Sequence, residues 1–204
     1  MACFFEKVSI MSNGCVTLAF SGKATDFTRL ILDESNIDQF VAGLGIYPKN
    51  SQLWVKAHEY FSKVGLEDGY NVIARGFSQT PDNLDIAERL AEDSVQMGIA
   101  LKEVGFVAES EVYFADAERI YFDLTYAFEW QKVTAPLAEL YSAWGRDENA
   151  AHCADAFCEP PNVEAINFLV EQRSRLDINV TKDAIHRRIA GLKDVIDLVP
   201  QPKS

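Results

Sequence analysis

The chain has few of the residue patterns from which catalytic and metal sites are built. Histidine occurs only three times in 204 residues, as His58, His152 and His186, and no ligand pairs follow a zinc-type spacing. General-base catalysis usually places a histidine beside a nucleophile or a carboxylate, so this scarcity argues against an enzyme. No glycine-rich phosphate loop occurs either, because Gly43-Leu44-Gly45 lacks the further glycine or lysine. We therefore predict no catalysis, no metal and no cofactor.

Cysteines and long apolar runs are also few. The four cysteines, Cys3, Cys15, Cys153 and Cys158, have no framework spacing, which is typical of reduced thiols. No apolar run approaches the roughly 20 residues that span a bilayer. The first residues, MACFFEKVSIMSNG, lack the basic start and apolar stretch of a secretory signal. The sequence predicts a cytoplasmic protein that does not interact with membranes.

Basic residues are scarce in the middle of the chain. The net charge is −12, and residues 81–130 alone carry twelve acidic and three basic side chains. Residues 131–160 add a net charge of −3, whereas the two ends are close to neutral. Such a surface repels nucleic-acid backbones and attracts basic partners. The alternative is that these carboxylates only solubilise the protein.

A repeat is present despite these absences. Gly65, Gly105 and Gly145 recur at a spacing of forty residues, each after an apolar residue. From residue 51 onward, apolar residues recur with a helical period that breaks at these glycines and at proline sites, which predicts helical hairpins. Pro136 predicts a fresh helix capped by Thr134, and residues 123–133 are then an extension of the previous helix or a linker.

The N-terminal part differs from the repeats. Two β-rich runs, 4–10 and 15–20, flank Asn13-Gly14, which predicts a β-hairpin. The run 27–32 either completes a small meander or begins a helix. We therefore predict an appendage over residues 1–50, packed on a helical domain over residues 51–204.

The repeat resembles the tetratricopeptide (TPR) family. The third unit matches this family best, at Leu137, Tyr141, Gly145, Ala150, Phe157 and Pro160-Pro161. The resemblance covers about residues 51–162, but the period exceeds the usual length of roughly 34 residues. Tyr70 and Ser110 also occupy the place of a small residue. The expected fold is mainly α, an antiparallel TPR-like hairpin array with a small N-terminal β-hairpin or meander. The alternative is an irregular helical bundle.

The resemblance implies a ligand groove lined by the first helix of each hairpin. Carried over by position, the groove residues are Val55, Glu59 and Lys63, then Val95, Ile99 and Lys102, then Ala135, Glu139 and Ser142. The alternative is that they are ordinary solvent-facing helix positions.

The acidic middle of the chain is a second candidate surface. The carboxylate pairs Glu109/Glu111 and Asp116/Glu118 are spaced i, i+2, so we expect them to be solvated. The aromatic side chains that follow cannot all face inward on one helical stripe, and they are Tyr121, Phe122, Tyr126, Phe128 and Trp130. An exposed aromatic patch or a dimer contact is therefore expected, with Tyr126 and Trp130 as its candidate members.

These features predict a non-catalytic protein-interaction module, such as an adaptor, chaperone or inhibitor. Its partner would be a protein or peptide with a basic surface, and a homodimer is compatible with the aromatic patch. The alternative is an acidic mimic of nucleic acid that occupies the basic channel of a nucleic-acid-binding enzyme through residues 81–160. An enzyme of another type would require a pocket with converging polar groups.

Overall fold

The computed structural model describes residues 5–10, 16–20, 31–33 and 36–191, and the protein is mainly helical. Within these residues there are nine helices: α1 (Ile37–Ile46), α2 (Ser51–Phe61), α3 (Leu66–Gln79), α4 (Leu84–Glu103), α5 (Val107–Leu124), α6 (Trp130–Trp144), α7 (Asp147–Asp155), α8 (Val163–Arg175) and α9 (Ile178–Ala190). None of the described helices combines the length and apolarity needed to cross a bilayer.

Two strands precede the helices. Strand β1 (Phe5–Ile10) pairs antiparallel with β2 (Val16–Phe20). The predicted Asn13-Gly14 turn and the run 27–32 lie outside the described residues. The hairpin or meander as a unit, its packing on the helical body and the division at residue 50 therefore stay predictions.

The helices pack in sequence as neighbouring pairs. Helices α2 and α3, α4 and α5, and α6 and α7 pack against each other, and α2 and α6 each also contact α4. One hydrophobic core runs through the whole set, from Phe40 in α1 to Ile185 in α9. The pattern of apolar residues therefore predicted the helices and their order along the chain.

The three periodic glycines do not adopt one conformation. Gly105 and Gly145 have φ of 90° and 87°, in the left-handed region that favours glycine. At both turns the N–H groups of the glycine and of the next residue bond back to the preceding helix, in the pattern of a Schellman motif. Gly65 has an extended φ of −174°. The forty-residue period thus marks two equivalent turns and one different turn.

Other glycines matter because helices approach closely there. A Cβ on Gly76 would lie 2.8 Å from the Trp54 side chain, which joins α3 to α2. A Cβ on Gly98 would lie 2.7 Å from the ring of Phe114, which joins α4 to α5. Both helix pairs therefore depend on a position without a side chain.

The prediction of a fresh helix at Pro136 is wrong. Helix α6 runs without a break from Trp130 to Trp144 and contains Pro136, and Thr134 is a buried residue within it. Trp130 packs edge-on against Phe122, and Val133 is buried, so the first turn gains packing that compensates for the hydrogen bond that the proline removes.

Helix α9 returns to the middle of the array and packs on α3 and α5. It begins at Ile178, where the side chain of Asp177 accepts a hydrogen bond from the N–H of Asn179. Thr181, in the first turn of this helix, is buried in the contact. The C-terminal helix therefore covers the second helices of the first two hairpins.

The turn geometry predicts unequal costs for glycine substitution. We expect Gly105→Ala to lower the free energy of unfolding by about 1–2 kcal/mol, because alanine is strained at this φ and nothing lies within 4 Å of the added Cβ. Gly65→Ala should cost less, about 0.5 kcal/mol, because its extended backbone suits any residue and the added Cβ would meet only the side-chain carboxylate of Asp68, at 3.1 Å. Urea unfolding of both variants checks this, and equal losses would contradict it.

Candidate functional site

Helix α4 contacts both α2 and α6, and two shallow depressions border these three helices. One, of about 310 Å³, lies between α2 and the start of α4, and Val55 and Glu59 line it. The other, of about 660 Å³, lies between α6 and α7, and Glu139 and Ser142 line it among five alanines. Four of the residues carried over from the TPR resemblance therefore border depressions.

Exposed carboxylates connect these two depressions across α4. We call Glu59, Glu88, Glu92 and Glu139 the acidic groove, since all four are exposed. Arg89 reaches from α4 to Glu59 at 3.4 Å. Glu88, Glu92 and Glu139 all act on the buried phenol of Tyr121, which places them around one point of α5.

Glu92 is a carboxyl of this groove whose pKa is raised. Partial burial raises its pKa, and the neighbouring carboxylate of Glu88, one helical turn away, raises it further. The surroundings of Glu92 therefore disfavour its charged form.

A histidine–carboxylate pair lies beneath this face. Nε2 of His58 in α2 is 2.8 Å from Oδ2 of Asp93 in α4, and the histidine is buried. Its Nδ1 is also buried and has no hydrogen-bond partner among the described residues. This contact fixes α2 to α4 beneath the acidic groove and does not open into either depression.

The remaining predicted groove residues are distributed differently. Lys63 is exposed just after α2, Ile99 is half-buried, and Val95 is buried, so Val95 does not line a groove. The ammonium of Lys102 donates to the carbonyl oxygens of Ala143 and Trp144 at 2.8 and 3.2 Å. Lys102 therefore hydrogen-bonds the last carbonyl groups of α6, at the helix end where a cation is favoured.

The expectation that both carboxylate pairs of α5 are solvated is wrong for one of them. Glu109 and Glu111 are exposed, and Glu111 accepts a hydrogen bond from Nε1 of Trp144 at 2.7 Å. Asp116 and Glu118 are buried. Each faces a helix that packs on α5, and a distant basic residue pairs with it.

Asp116 joins three helices. Its Oδ2 lies 2.9 Å from Nη2 of Arg188 in α9, and its Oδ1 accepts from the hydroxyl of Thr181 at 3.3 Å. Arg188 also donates to the phenol oxygen of Tyr70 in α3, and its guanidinium lies 4.9 Å from the ring centre of Tyr113. Asp116 therefore anchors the C-terminal helix and does not face solvent.

Glu118 makes a second internal connection, between α5, α6 and α7. The hydroxyl of Tyr141 donates to Glu118 at 2.6 Å, and Arg146 lies 3.9 Å from the same oxygen. Burial, and then the charge of Glu118, raise the pKa of the Cys153 thiol to about 12. This cysteine is therefore a protonated core residue at neutral pH.

The aromatic stretch is largely internal. Tyr121 and Phe122 are buried, whereas Phe128 and Trp130 are half-buried and Tyr126 is 72% exposed. The guanidinium of Arg173 in α8 lies 4.6 Å from the ring centre of Tyr126 and 4.8 Å from that of Trp130. Within this stretch Tyr126 is thus the one exposed aromatic side chain, beside the half-buried Phe128 and Trp130, and Arg173 lies over Tyr126 and Trp130.

Among the described residues, no three histidine, cysteine, aspartate or glutamate side chains are arranged to hold a metal ion. Comparison with other proteins gives no further assignment, since no family model, no curated protein and no solved structure matches the chain. The candidate site is therefore argued from its own residues. The acidic groove places exposed carboxylates on three helices, α2, α4 and α6.

The Asp116 anchor predicts a specific loss of stability. Asp116→Asn should lower the free energy of unfolding by about 2 kcal/mol or more, because the guanidinium of Arg188 loses its carboxylate. Urea unfolding measures the loss, and faster amide exchange over residues 178–190 locates it in α9.

Asp123→Asn is the matched control on the same helix. Burial raises the pKa of Asp123, so removing this charge should not destabilise the fold in the same way. Equal losses in the two variants would show that Asp116 has no special role.

The raised pKa of Glu92 predicts that Glu92→Gln gains stability in a pH-dependent way. Between the ordinary carboxyl pKa and the raised one, the folded state binds more protons than the unfolded state, so stability falls as pH rises through this window. Glu92→Gln removes this fall. We expect it to be more stable at pH 7 by about 0.2–0.5 kcal/mol, since it also removes a like-charge i, i+4 pair.

The gain should vanish below the ordinary carboxyl pKa, where Glu92 is protonated in both states. Thermal unfolding at pH 3.5 and pH 7 measures this, with the exposed Glu159→Gln as the control. A gain that persists at pH 3.5 would rule out the charge as its cause.

Proposed function

We propose that the protein is a non-catalytic protein-interaction module built on a TPR-like hairpin array, which binds a basic protein or peptide segment along the acidic groove. The observation that carries this proposal is the position of the exposed carboxylates, Glu59, Glu88, Glu92 and Glu139, on the first helices of all three hairpins. In a TPR-like array, this is the face on which a ligand lies.

The packing pattern supports the hairpin array. Successive helices contact one another, and the first helices also contact each other in the order α2, α4, α6. The side chain of Lys102 reaches residues 143 and 144, about one repeat length further along the chain. Neighbouring hairpins therefore meet at repeat-related positions, as they do in a stacked array.

The electrostatics of the face support a basic partner. The bases on this face are few: Arg89 is paired with Glu59, and Lys56 lines the first depression. A ligand cation placed near Glu88 and Glu92 replaces a like-charge interaction with an attractive one. Complementary charge of this kind contributes specificity and fast association.

The role of nucleic-acid mimic remains the alternative. Many carboxylates of residues 81–160 are exposed, as such a mimic needs, but Asp116 and Glu118 are internal. A mimic would depend on charge spread over both α4 and α5, whereas a groove module depends on one face. The two proposals thus require different carboxylates.

The proposal is tested by neutralising the groove. The variant Glu59→Gln, Glu88→Gln, Glu92→Gln and Glu139→Gln should lose its partners by at least tenfold in affinity capture from the native cell extract, as quantified by mass spectrometry. The control is a variant with the same change in charge away from the groove, made of Glu129→Gln, Asp155→Asn, Glu159→Gln and Glu171→Gln, all of which are exposed. It should retain the partners.

Equal loss in both variants would count against the groove. Capture of a nucleic-acid-binding enzyme that duplex DNA displaces and that is lost steeply as salt rises would favour the mimic instead. Partners held by a mixture of charge and apolar contact should persist at moderate salt.

A further inference from the structure

The turn between α4 and α5 exposes an unusual run of apolar side chains. Val104, Phe106 and Val107 surround Gly105 and are 69%, 55% and 54% exposed. We call residues 104–107 the second turn. Nothing lies within 4 Å of a Cβ built on Gly105, so no other described part of the chain covers this point.

The turn between α6 and α7 has different side chains at the positions that match Val104 and Phe106. Trp144 takes the place of Val104 and is nearly buried, stacked between the rings of Phe114 and Tyr141. Arg146 takes the place of Phe106, and its guanidinium lies 3.4 Å above the Trp144 ring. Both turns have the same backbone geometry, but the apolar side chain before the glycine is packed at the turn between α6 and α7 and exposed at the second turn.

The surroundings of the second turn carry negative charge. Glu103 and Glu109 flank it and are both exposed. The nearest base in sequence, Lys102, is directed at the carbonyl oxygens that end α6. A second copy of this chain would bring the same carboxylates to the contact, so like charges oppose self-association here.

We propose that the second turn is an interaction surface, separate from the acidic groove, that packs its apolar side chains against an apolar face of a partner protein with a basic rim. Val104, Phe106 and Val107 would supply the desolvated centre of the contact, and Glu103 and Glu109 would pair with the rim. This arrangement matches the apolar core and polar rim of protein interfaces.

The test uses two labelled helical peptides of the same length, one of leucine and lysine and one of leucine and glutamate. Fluorescence anisotropy measures their binding to the whole chain. We expect the leucine–lysine peptide to bind and the leucine–glutamate peptide to fail. Val104→Ser with Val107→Ser should weaken binding of the first peptide, and by at least tenfold in the groove-neutralised variant, where the acidic groove no longer binds it, because two buried apolar contacts are lost.

The matched control is Val163→Ser with Val180→Ser, two valines elsewhere that are 69% and 49% exposed. This variant should bind the peptide as the unmodified chain does. Both peptides and both valine double substitutions are also compared in the groove-neutralised variant. The turn substitutions should still weaken binding in that variant, which separates the second turn from the acidic groove.

Three results would overturn the proposal. They are equal binding by the turn and control variants, equal binding of the two peptides, and self-association of the chain that Val104→Ser with Val107→Ser abolishes. The last, measured by analytical ultracentrifugation, would make a second copy the occupant. Circular dichroism confirms that each variant is folded, as expected for exposed positions.

Discussion

The close approach of α4 and α5 at Gly98 is the contact around which the other helices are arranged. The Phe114 ring fills the space that a side chain at position 98 would need, so the two longest helices pack backbone to ring. Helix α4 then contacts α2, α3 and α6, and α5 contacts α6, α8 and α9. Phe114 also stacks on Trp144, so one side chain connects this hairpin to the next.

Because of this packing, some of the chain's acidic side chains are buried and paired, and others are exposed. Residues on α5 that face the hairpin's neighbours become internal, and a buried carboxylate is tolerated only where it is paired or hydrogen-bonded. Asp116 meets Arg188 of the distant helix α9, and Glu118 meets Tyr141 of the next helix, α6. The exposed carboxylates of α2, α4 and α6 have few such partners and form the groove.

Sequence reasoning predicted the features that depend on local spacing. The helical periods gave the helices, and glycine's tolerance of positive φ gave the turns at Gly105 and Gly145. Sequence reasoning could not predict contacts between residues that are distant along the chain. The partner of Asp116 lies 72 positions away, and an i, i+2 spacing says nothing about which helix will pack on a given face. The start of α6 at Trp130 was missed for the same reason, since its packing on Phe122 outweighs the effect of Pro136.

Both candidate surfaces include or adjoin α4. Glu92 lies in the acidic groove and Val104 ends the same helix at the second turn, so at a rise of 1.5 Å per residue they are about 18 Å apart along α4. One partner of ordinary interface size could span that distance, and two smaller partners could also bind side by side. The surfaces differ in chemistry, since the groove offers partly desolvated charge and the turn offers uncovered apolar groups. Helix α4 is joined to α5 at Gly98 and to α2 by the Asp93–His58 contact, and a proposed site on a helix held by such contacts needs little ordering when a ligand binds.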